Sequence, residues 1–273
     1  MFYVNSLFVN PVLCILERVH ISYLSTIKYK LLFCFVVFSP YKLVFLKVII
    51  ITCYDTVMEA LKFISPAICI VAGSTSSGKS TLVFEILKNN QVMFTKQPVH
   101  IIYAYGVWQT KFAEMQNTIL NIEFFNGLPT KENLESWSMD GKHRILVLDD
   151  LMSIAEKDNH TLDLFTKHSH HMNFSVFFIV QNLFSGGKYF RCISLQTHYF
   201  ILFKNRRDEH QIHTFARQLF PSNTHYFMDA YKKATQEKYS YILIDISPHS
   251  NPEYSLRSHI LPGEVVSVFI PKK

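Results

Sequence analysis

Short apolar segments recur along the chain from residue 58 onward, and they are near-continuously hydrophobic rather than alternating with polar positions. Runs of this kind are typical of strands that are buried on both faces of a parallel sheet. The segments between them are helix-like. The pattern predicts strands at 67–72, 100–105, 144–149, 175–181, 198–204 and 239–246. It predicts helices at 79–89, 107–117, 131–137, 160–170, 208–219 and 223–235.

The alternation of strands and helices predicts the class of the fold. Strand–helix–strand units form right-handed crossovers, which place helices on both faces of a mostly parallel sheet. We therefore expect one α/β domain over residues 58–273. A chain of 273 residues is long enough to give such a domain a sizeable core.

The first 57 residues differ from everything that follows, because they contain no glycine and are rich in Phe, Leu, Ile, Val and Tyr. Residues 31–54 are long enough to span a membrane, but Pro40, Lys42 and Lys47 interrupt them. A lysine at the centre of a span costs about 2.5–3.5 kcal/mol. Three interpretations stay open: a weak membrane anchor, a packed N-terminal element, or residues that do not belong to the functional protein. Met58 favours the last, since it opens the domain-like stretch MEALKFISPAICIVAG.

The net charge and the cysteine content exclude few classes of function. The net charge is +6, and residues 1–57 contribute half of it, with five Lys or Arg against two acidic residues. The remainder is too small to indicate nucleic-acid binding by itself. The five cysteines show no CxxC spacing, which is typical of reduced thiols in an intracellular protein.

The loop after the first of these predicted strands has the spacing of a phosphate-binding (Walker A) loop. Residues 73–80, GSTSSGKS, fit GxxxxGK[ST] at every fixed position, between an apolar strand and a helix. The two glycines permit positive φ angles and close approach of the backbone to phosphate. Lys79 is expected to reach the β- and γ-phosphates and Ser80 to offer its hydroxyl to Mg²⁺, while the helix N-terminus stabilises the anion. The candidate nucleotide-binding residues are Gly73, Ser74, Thr75, Ser76, Ser77, Gly78, Lys79, Ser80 and Thr81.

In the segment RILVLDDL, residues 144–151, an apolar run leads into two carboxylates, Asp149 and Asp150. A carboxylate at the end of a buried strand beside a phosphate-binding loop can hold Mg²⁺ through its water shell, and Asp149 is in register for that role. Asp150 follows directly and is a candidate to polarise the attacking water. Either residue can instead cap a helix, an alternative that applies more to Asp150.

The strand predicted at 175–181 ends in a polar residue, Gln181. A strand with a polar end, shortly after the acidic strand, indicates the branch of P-loop proteins in which one strand is inserted between the phosphate-loop strand and the acidic strand. Gln181 would then emerge beside the γ-phosphate, where it can orient water and sense hydrolysis. The alternative is a surface glutamine without such a role.

Beyond these motifs, residues 165–221 and SHILPGE at 258–264 resemble the packaging ATPases of Polinton (Maverick) elements and adintoviruses. Those proteins belong to the FtsK–HerA superfamily, together with the poxvirus DNA-packaging ATPase. The resemblance covers residues 60–273 and is more specific than a phosphate-binding loop alone. It maps the acidic pair onto Asp149–Asp150 and the strand-end glutamine onto Gln181.

The resemblance implies a RecA-like core and an ATP-driven motor that moves double-stranded DNA, with ATP and Mg²⁺ as cofactors. It also implies a homo-oligomeric, head-to-tail ring with active sites between subunits, and capsid proteins as candidate partners. In such a ring Arg191, Arg206 and Arg207 are candidates for an arginine finger, with surface or phosphate-backbone contact as the alternative for each. The expected location is intracellular, in the nucleus or in a virus factory or virion, and membrane association is not favoured.

Three positions depart from the family pattern. The second acid, often Glu, is the shorter Asp150, which must lie closer to the water. His168 stands where glycine is common, and the NPRD pattern reads Asn205-Arg206-Arg207-Asp208. Two rival functions stay open: a host-retained copy that binds nucleotide without moving DNA, and another ATPase of the same broad branch. The strand-end glutamine and the lack of a recognisable lid disfavour a small-molecule kinase.

Overall fold

The computed structural model describes residues 4–6, 59–151, 163, 169–183, 188–205, 207, 209–248 and 250–271. Ten strands form one sheet in these ranges, in the order β1-β10-β9-β8-β7-β2-β6-β5-β3-β4. The strands are β1 Val4–Ser6, β2 Ile68–Ala72, β3 His100–Tyr105, β4 Ile122–Asn126, β5 Arg144–Asp149, β6 Phe174–Val180, β7 Tyr199–Phe203, β8 Tyr241–Asp245, β9 Leu256–Ser258 and β10 Ser267–Phe269. The helices are α1 Lys79–Lys88, α2 Asn90–Met93, α3 Lys111–Thr118, α4 Lys131–Ser138, α5 Ser169–His171, α6 Lys188–Leu195, α7 Glu209–Leu219 and α8 Thr224–Ala234, with a 3₁₀ turn at Pro252–Tyr254.

The strands from β7 to β4 in this order are parallel, and the remaining strands extend the sheet antiparallel. Strand β6 lies between β2, which precedes the phosphate loop, and β5, which ends in the acidic pair. The predicted inserted strand is therefore confirmed. The fold is the α/β, RecA-like P-loop arrangement that the sequence indicated.

Apolar residues cover both faces of the parallel strands, which explains why these strands read as continuous hydrophobic runs. In β2, Ile68 and Ile70 pack into one core and Cys69 and Val71 into the other. Helices α1 and α3 cover the Cys69 face, and helices α4, α7 and α8 cover the Ile68 face. The predicted placement of helices on both faces is therefore confirmed.

Some details of the fold differ from the prediction, and others lie outside the described residues. The helix expected at 107–117 begins only at Lys111, because residues 106–110 turn across the end of β5, where Gly106 N donates to Asp149 O at 3.2 Å. The strand expected at 239–246 is confirmed as β8, which is antiparallel to β7. Strands β1, β4, β9 and β10 were not predicted. Most of the helix expected at 160–170 lies outside the described residues, as do residues 7–57 with the proposed anchor.

No helix among the described residues is both long and apolar enough to cross a bilayer.

Replacing Arg257 is expected to destabilise the fold, because this arginine is 1% exposed and pairs with a carboxylate that is also buried. Its Nη2 donates to Asp245 Oδ2 at 3.0 Å, while Asp245 Oδ1 accepts from Ser247 Oγ at 2.7 Å. Arg257→Met would leave the Asp245 charge buried without its cation, which costs about 3–5 kcal/mol of unfolding free energy. Urea denaturation of the full chain measures this change.

The matched control is Arg217→Met, at an exposed arginine of α7, which should leave the unfolding free energy nearly unchanged. The double variant Arg257→Met/Asp245→Asn should recover part of the loss, since it removes both charges. Equal stability of Arg257→Met and the wild type would contradict a structural role for this ion pair.

Candidate active site

The loop between β2 and α1 needs both of its glycines. A Cβ at Gly73 would lie 2.7 Å from Phe203 Cβ, so that no larger residue fits without movement of β7. Gly78 has φ 102°, in the left-handed region that favours glycine. Helix α1 begins directly after it, with Leu82 N donating to Gly78 O at 2.9 Å. The unpaired N–H groups of the first turn of α1 therefore lie at the loop, where they can bind an anion.

Lys79 is held inside the loop by hydrogen bonds to the loop's own backbone. Its Nζ donates to the carbonyl oxygens of Gly73 and Ser74, at 2.7 and 2.8 Å. Burial lowers the pKa of this ammonium, and the neighbouring carboxylates of Asp149 and Asp150 act in the opposite direction. The lysine can exchange its two carbonyl partners for phosphate oxygens with a short movement of a flexible side chain.

Asp149 is 4% exposed and lies at the centre of a polar cluster. Its Oδ2 accepts hydrogen bonds from Ser80 Oγ at 3.1 Å and from Tyr103 Oη at 2.6 Å. Burial raises the pKa of the carboxyl group, and the two hydrogen bonds oppose that rise. Burial also raises the pKa of Tyr103 well above its ordinary value, so its hydroxyl stays a donor to Asp149.

Tyr103 was not identified as a site residue from the sequence. It lies in β3, beside β5, within an otherwise apolar run. A tyrosine inside a buried apolar strand needs a buried hydrogen-bond partner for its hydroxyl group. That requirement is the feature of the sequence from which Tyr103 could have been predicted to lie near a polar site.

Asp150 and Gln181 meet at the ends of neighbouring strands. Gln181 Nε2 donates to Asp150 Oδ1 at 3.4 Å, and both residues are exposed. Asp150 has φ 56°, a left-handed conformation that Asp adopts more readily than most residues. Its carbonyl oxygen would lie 2.9 Å from a Cβ built on Gly106, so the turn after β3 packs closely against this residue.

Most of the predicted site residues line one cavity of about 340 Å³. Asp149, Asp150 and Gln181 line it, as do residues 75–81, which form the end of the loop and the start of α1. Gly73 and Ser74 do not line it, although they accept the hydrogen bonds of Lys79.

Two further lining residues, Gln109 and Lys111, were missed because the sequence placed both inside a helix. Lys111 Nζ donates to Thr81 Oγ1 at 2.7 Å and lies 5.4 Å from the centroid of the Phe84 ring. Burial lowers the pKa of this lysine. Among the described residues that line the cavity, Lys111 is a second cation beside Lys79, together with two carboxylates.

The donor set fits a magnesium ion. Ser80 Oγ and Asp149 Oδ2 are oxygen donors 3.1 Å apart on the wall of the cavity, and Mg²⁺ prefers oxygen ligands from one or two protein groups together with substrate phosphates. The hydrogen bond between them would be exchanged for coordination.

Arg207 is the candidate arginine finger whose side chain is described, and it is not among the residues that line this cavity. Arg207 is exposed in the loop after β7, and its backbone N donates to Asn205 Oδ1 at 3.2 Å. Arg191 belongs to α6, but its side chain lies outside the described residues, as does the whole of Arg206. The loop after β7 is at the same edge of the sheet as the phosphate loop, because β7 and β2 are parallel.

No family model and no curated protein matches the sequence. Among solved structures, the chain is similar to the genome packaging NTPase B204 of Sulfolobus turreted icosahedral virus 2 in complex with ATP-γS, at 13% identity and a TM-score of 0.43, over 76% of this chain and 98% of that chain. The DNA-packaging ATPase B204 of Sulfolobus turreted icosahedral virus gives 13% identity and a TM-score of 0.45 over the same shares. The flagellar accessory protein FlaH of Methanocaldococcus jannaschii gives 12% and 0.37 over 50% of this chain and 70% of that chain. Similarity at this level assigns the chain neither to a family nor to a function.

Proposed function

We propose that the chain is an ATP-hydrolysing enzyme. The observation that carries this proposal is the contact between Asp150 and Gln181, 3.4 Å apart on the wall of the cavity that the phosphate loop also lines. A loop that only bound nucleotide would need Lys79 and the helix N-terminus, but not a carboxylate and an amide side by side at the phosphate end.

Hydrolysis would proceed by attack of a water molecule on the γ-phosphorus. Gln181 orients the water, and Asp150 accepts its proton as the bond to phosphorus forms and the bond to the ADP oxygen breaks. Lys79 offsets the negative charge on the β- and γ-phosphates. Mg²⁺, when bound by Ser80 and Asp149, would neutralise charge on the same two phosphates.

We further propose that hydrolysis drives movement of double-stranded DNA, in the packaging of a viral or transposon-borne genome. The support is the sequence resemblance of residues 60–273 to packaging ATPases, together with the exposure of Asp150 and Gln181 at the sheet edge. An exposed catalytic pair is suited to a ring in which the neighbouring subunit closes the site and supplies an arginine.

The test of this function is the rate of ATP hydrolysis by the full chain with and without double-stranded DNA. We expect Mg²⁺-dependent turnover that rises when DNA is added, and a stimulation that weakens as salt is raised, since contacts with the phosphate backbone depend on counterion release. The Lys79→Ala chain measures the background.

Three results would separate the alternatives. Turnover that DNA does not change would contradict the motor and favour another ATPase of the same branch. Binding of ATP by a folded chain without turnover would favour the nucleotide-binding copy. Stimulation by single-stranded but not by double-stranded DNA would change the proposed substrate.

A further inference from the structure

The positions of Asp149, Asp150 and Gln181, the residues proposed to bind Mg²⁺ and activate water, determine the direction in which a nucleotide lies in the cavity. Asp149 and Asp150 come from β5, and Gln181 follows β6, all on one side of the phosphate loop. The γ-phosphate must point towards these residues to be hydrolysed. The nucleoside must then extend towards the opposite side of the loop, where β7 and β8 continue the sheet.

Tyr239 lies on that opposite side. It precedes β8 by two residues, and Tyr241 at the start of β8 pairs with Phe203 at the end of β7. A Cβ built on Gly78 would lie 3.4 Å from Tyr239 Cδ1 and 3.5 Å from Phe203 Cε1. The tyrosine therefore borders the phosphate loop from the side that the hydrolytic residues leave open.

Tyr239 is largely exposed, although it borders the phosphate loop. The exposed fraction of this residue is 59%. Lys238 Nζ lies 5.1 Å from the ring centroid, so the ring already interacts with a cation. The backbone of Tyr239 has φ 66°, a left-handed conformation that costs a bulky residue conformational energy. Residues strained in this way are concentrated at ligand-binding and active sites.

We propose that Tyr239 is the platform on which the nucleobase of the bound nucleotide stacks. This inference rests on the proposed ATP-binding function and names a separate subsite for the base. Every nucleobase has a π face, so the platform should raise the affinity of adenine and guanine nucleotides alike. It should contribute nothing to binding of a bare polyphosphate chain.

The experiment measures binding to the full-length chain by calorimetry, in Mg²⁺, with two probes: a non-hydrolysable ATP analogue and inorganic tripolyphosphate. Tyr239→Ala is expected to lower the affinity for the ATP analogue by roughly 5- to 150-fold, the range that base–aromatic stacking supports. The affinity for tripolyphosphate should stay unchanged. Tyr239→Phe, which keeps the ring, should bind both probes like the wild type.

Two further variants separate the ring from its surroundings. Tyr239→Gly removes the ring and also relieves the positive φ angle, so it should reproduce the alanine result without added backbone strain. Tyr254→Ala is the matched control, because Tyr254 lies in the 3₁₀ turn that connects β8 to β9, beyond the end of β8 remote from the loop. It should leave the affinity for both probes unchanged.

The inference is overturned if Tyr239→Ala and Tyr239→Gly bind the ATP analogue as tightly as the wild type. It is also overturned if both variants lose affinity for the two probes equally, because the ring would then support the phosphate loop rather than the base. A wild-type chain that bound neither probe would instead overturn the proposed function, and this inference with it.

Discussion

Lys79→Ala is expected to lower ATP turnover by at least roughly 100-fold, the loss that follows removal of one group that stabilises transition-state charge. The reason is the charge of the cavity, whose described walls hold Lys79 and Lys111 against Asp149 and Asp150. Without Lys79 the carboxylates outnumber the cations that face a polyanionic substrate. The measurements are steady-state hydrolysis and the dissociation constant for ATP, both of which should worsen.

The matched control is Lys88→Ala, on the same helix. Lys88 is exposed in the last turn of α1, where its Nζ lies 3.9 Å from a carboxylate oxygen of Glu85. A surface pair of this kind contributes little to stability, so turnover and melting temperature should stay near those of the wild type. Lys79→Met keeps the buried aliphatic part of the side chain, so it tests whether a loss of turnover in Lys79→Ala comes from misfolding rather than from the lost charge. If it hydrolyses ATP at the wild-type rate, the loop is not the site of turnover.

The sequence predicted the parts of the fold that depend on local patterns. Buried parallel strands must be apolar on both faces, so β2, β5 and β6 could be located to within one residue at each end. The loop motif and the strand-end positions of Asp149, Asp150 and Gln181 then placed the site at one edge of the sheet, where the structure brings them together.

What the sequence could not predict depends on contacts between distant segments. Lys111 reaches Thr81 only because the turn at 106–110 crosses the end of β5, and a helix-like pattern over those residues concealed that turn. Tyr239 borders Gly78 because β8 runs antiparallel to β7. Strand β4 is an edge strand with partly exposed side chains, so it lacks the continuous apolar run that identified its neighbours.

The two carboxylates are chemically alike, but their surroundings give them different roles. Asp149 is buried and accepts hydrogen bonds from Ser80 and Tyr103, so its oxygen is fixed in position and suited to holding a metal ion. Asp150 is exposed, and its side chain meets Gln181 at a longer distance of 3.4 Å. It is therefore free to accept a proton from a water molecule that Gln181 holds.

Asp150→Asn should separate turnover from binding. Asn has the shape of Asp and tolerates left-handed backbone equally well, so the φ of 56° at this position should be kept. The change removes only the proton acceptor, and loss of a general base lowers turnover by roughly 10²–10⁴-fold. Affinity for Mg²⁺ and ATP together should be unchanged, whereas the matched variant Asp149→Asn should lower it. If Asp150→Asn hydrolyses ATP like the wild type, the proton goes elsewhere and Asp150 only closes the turn beside Gly106.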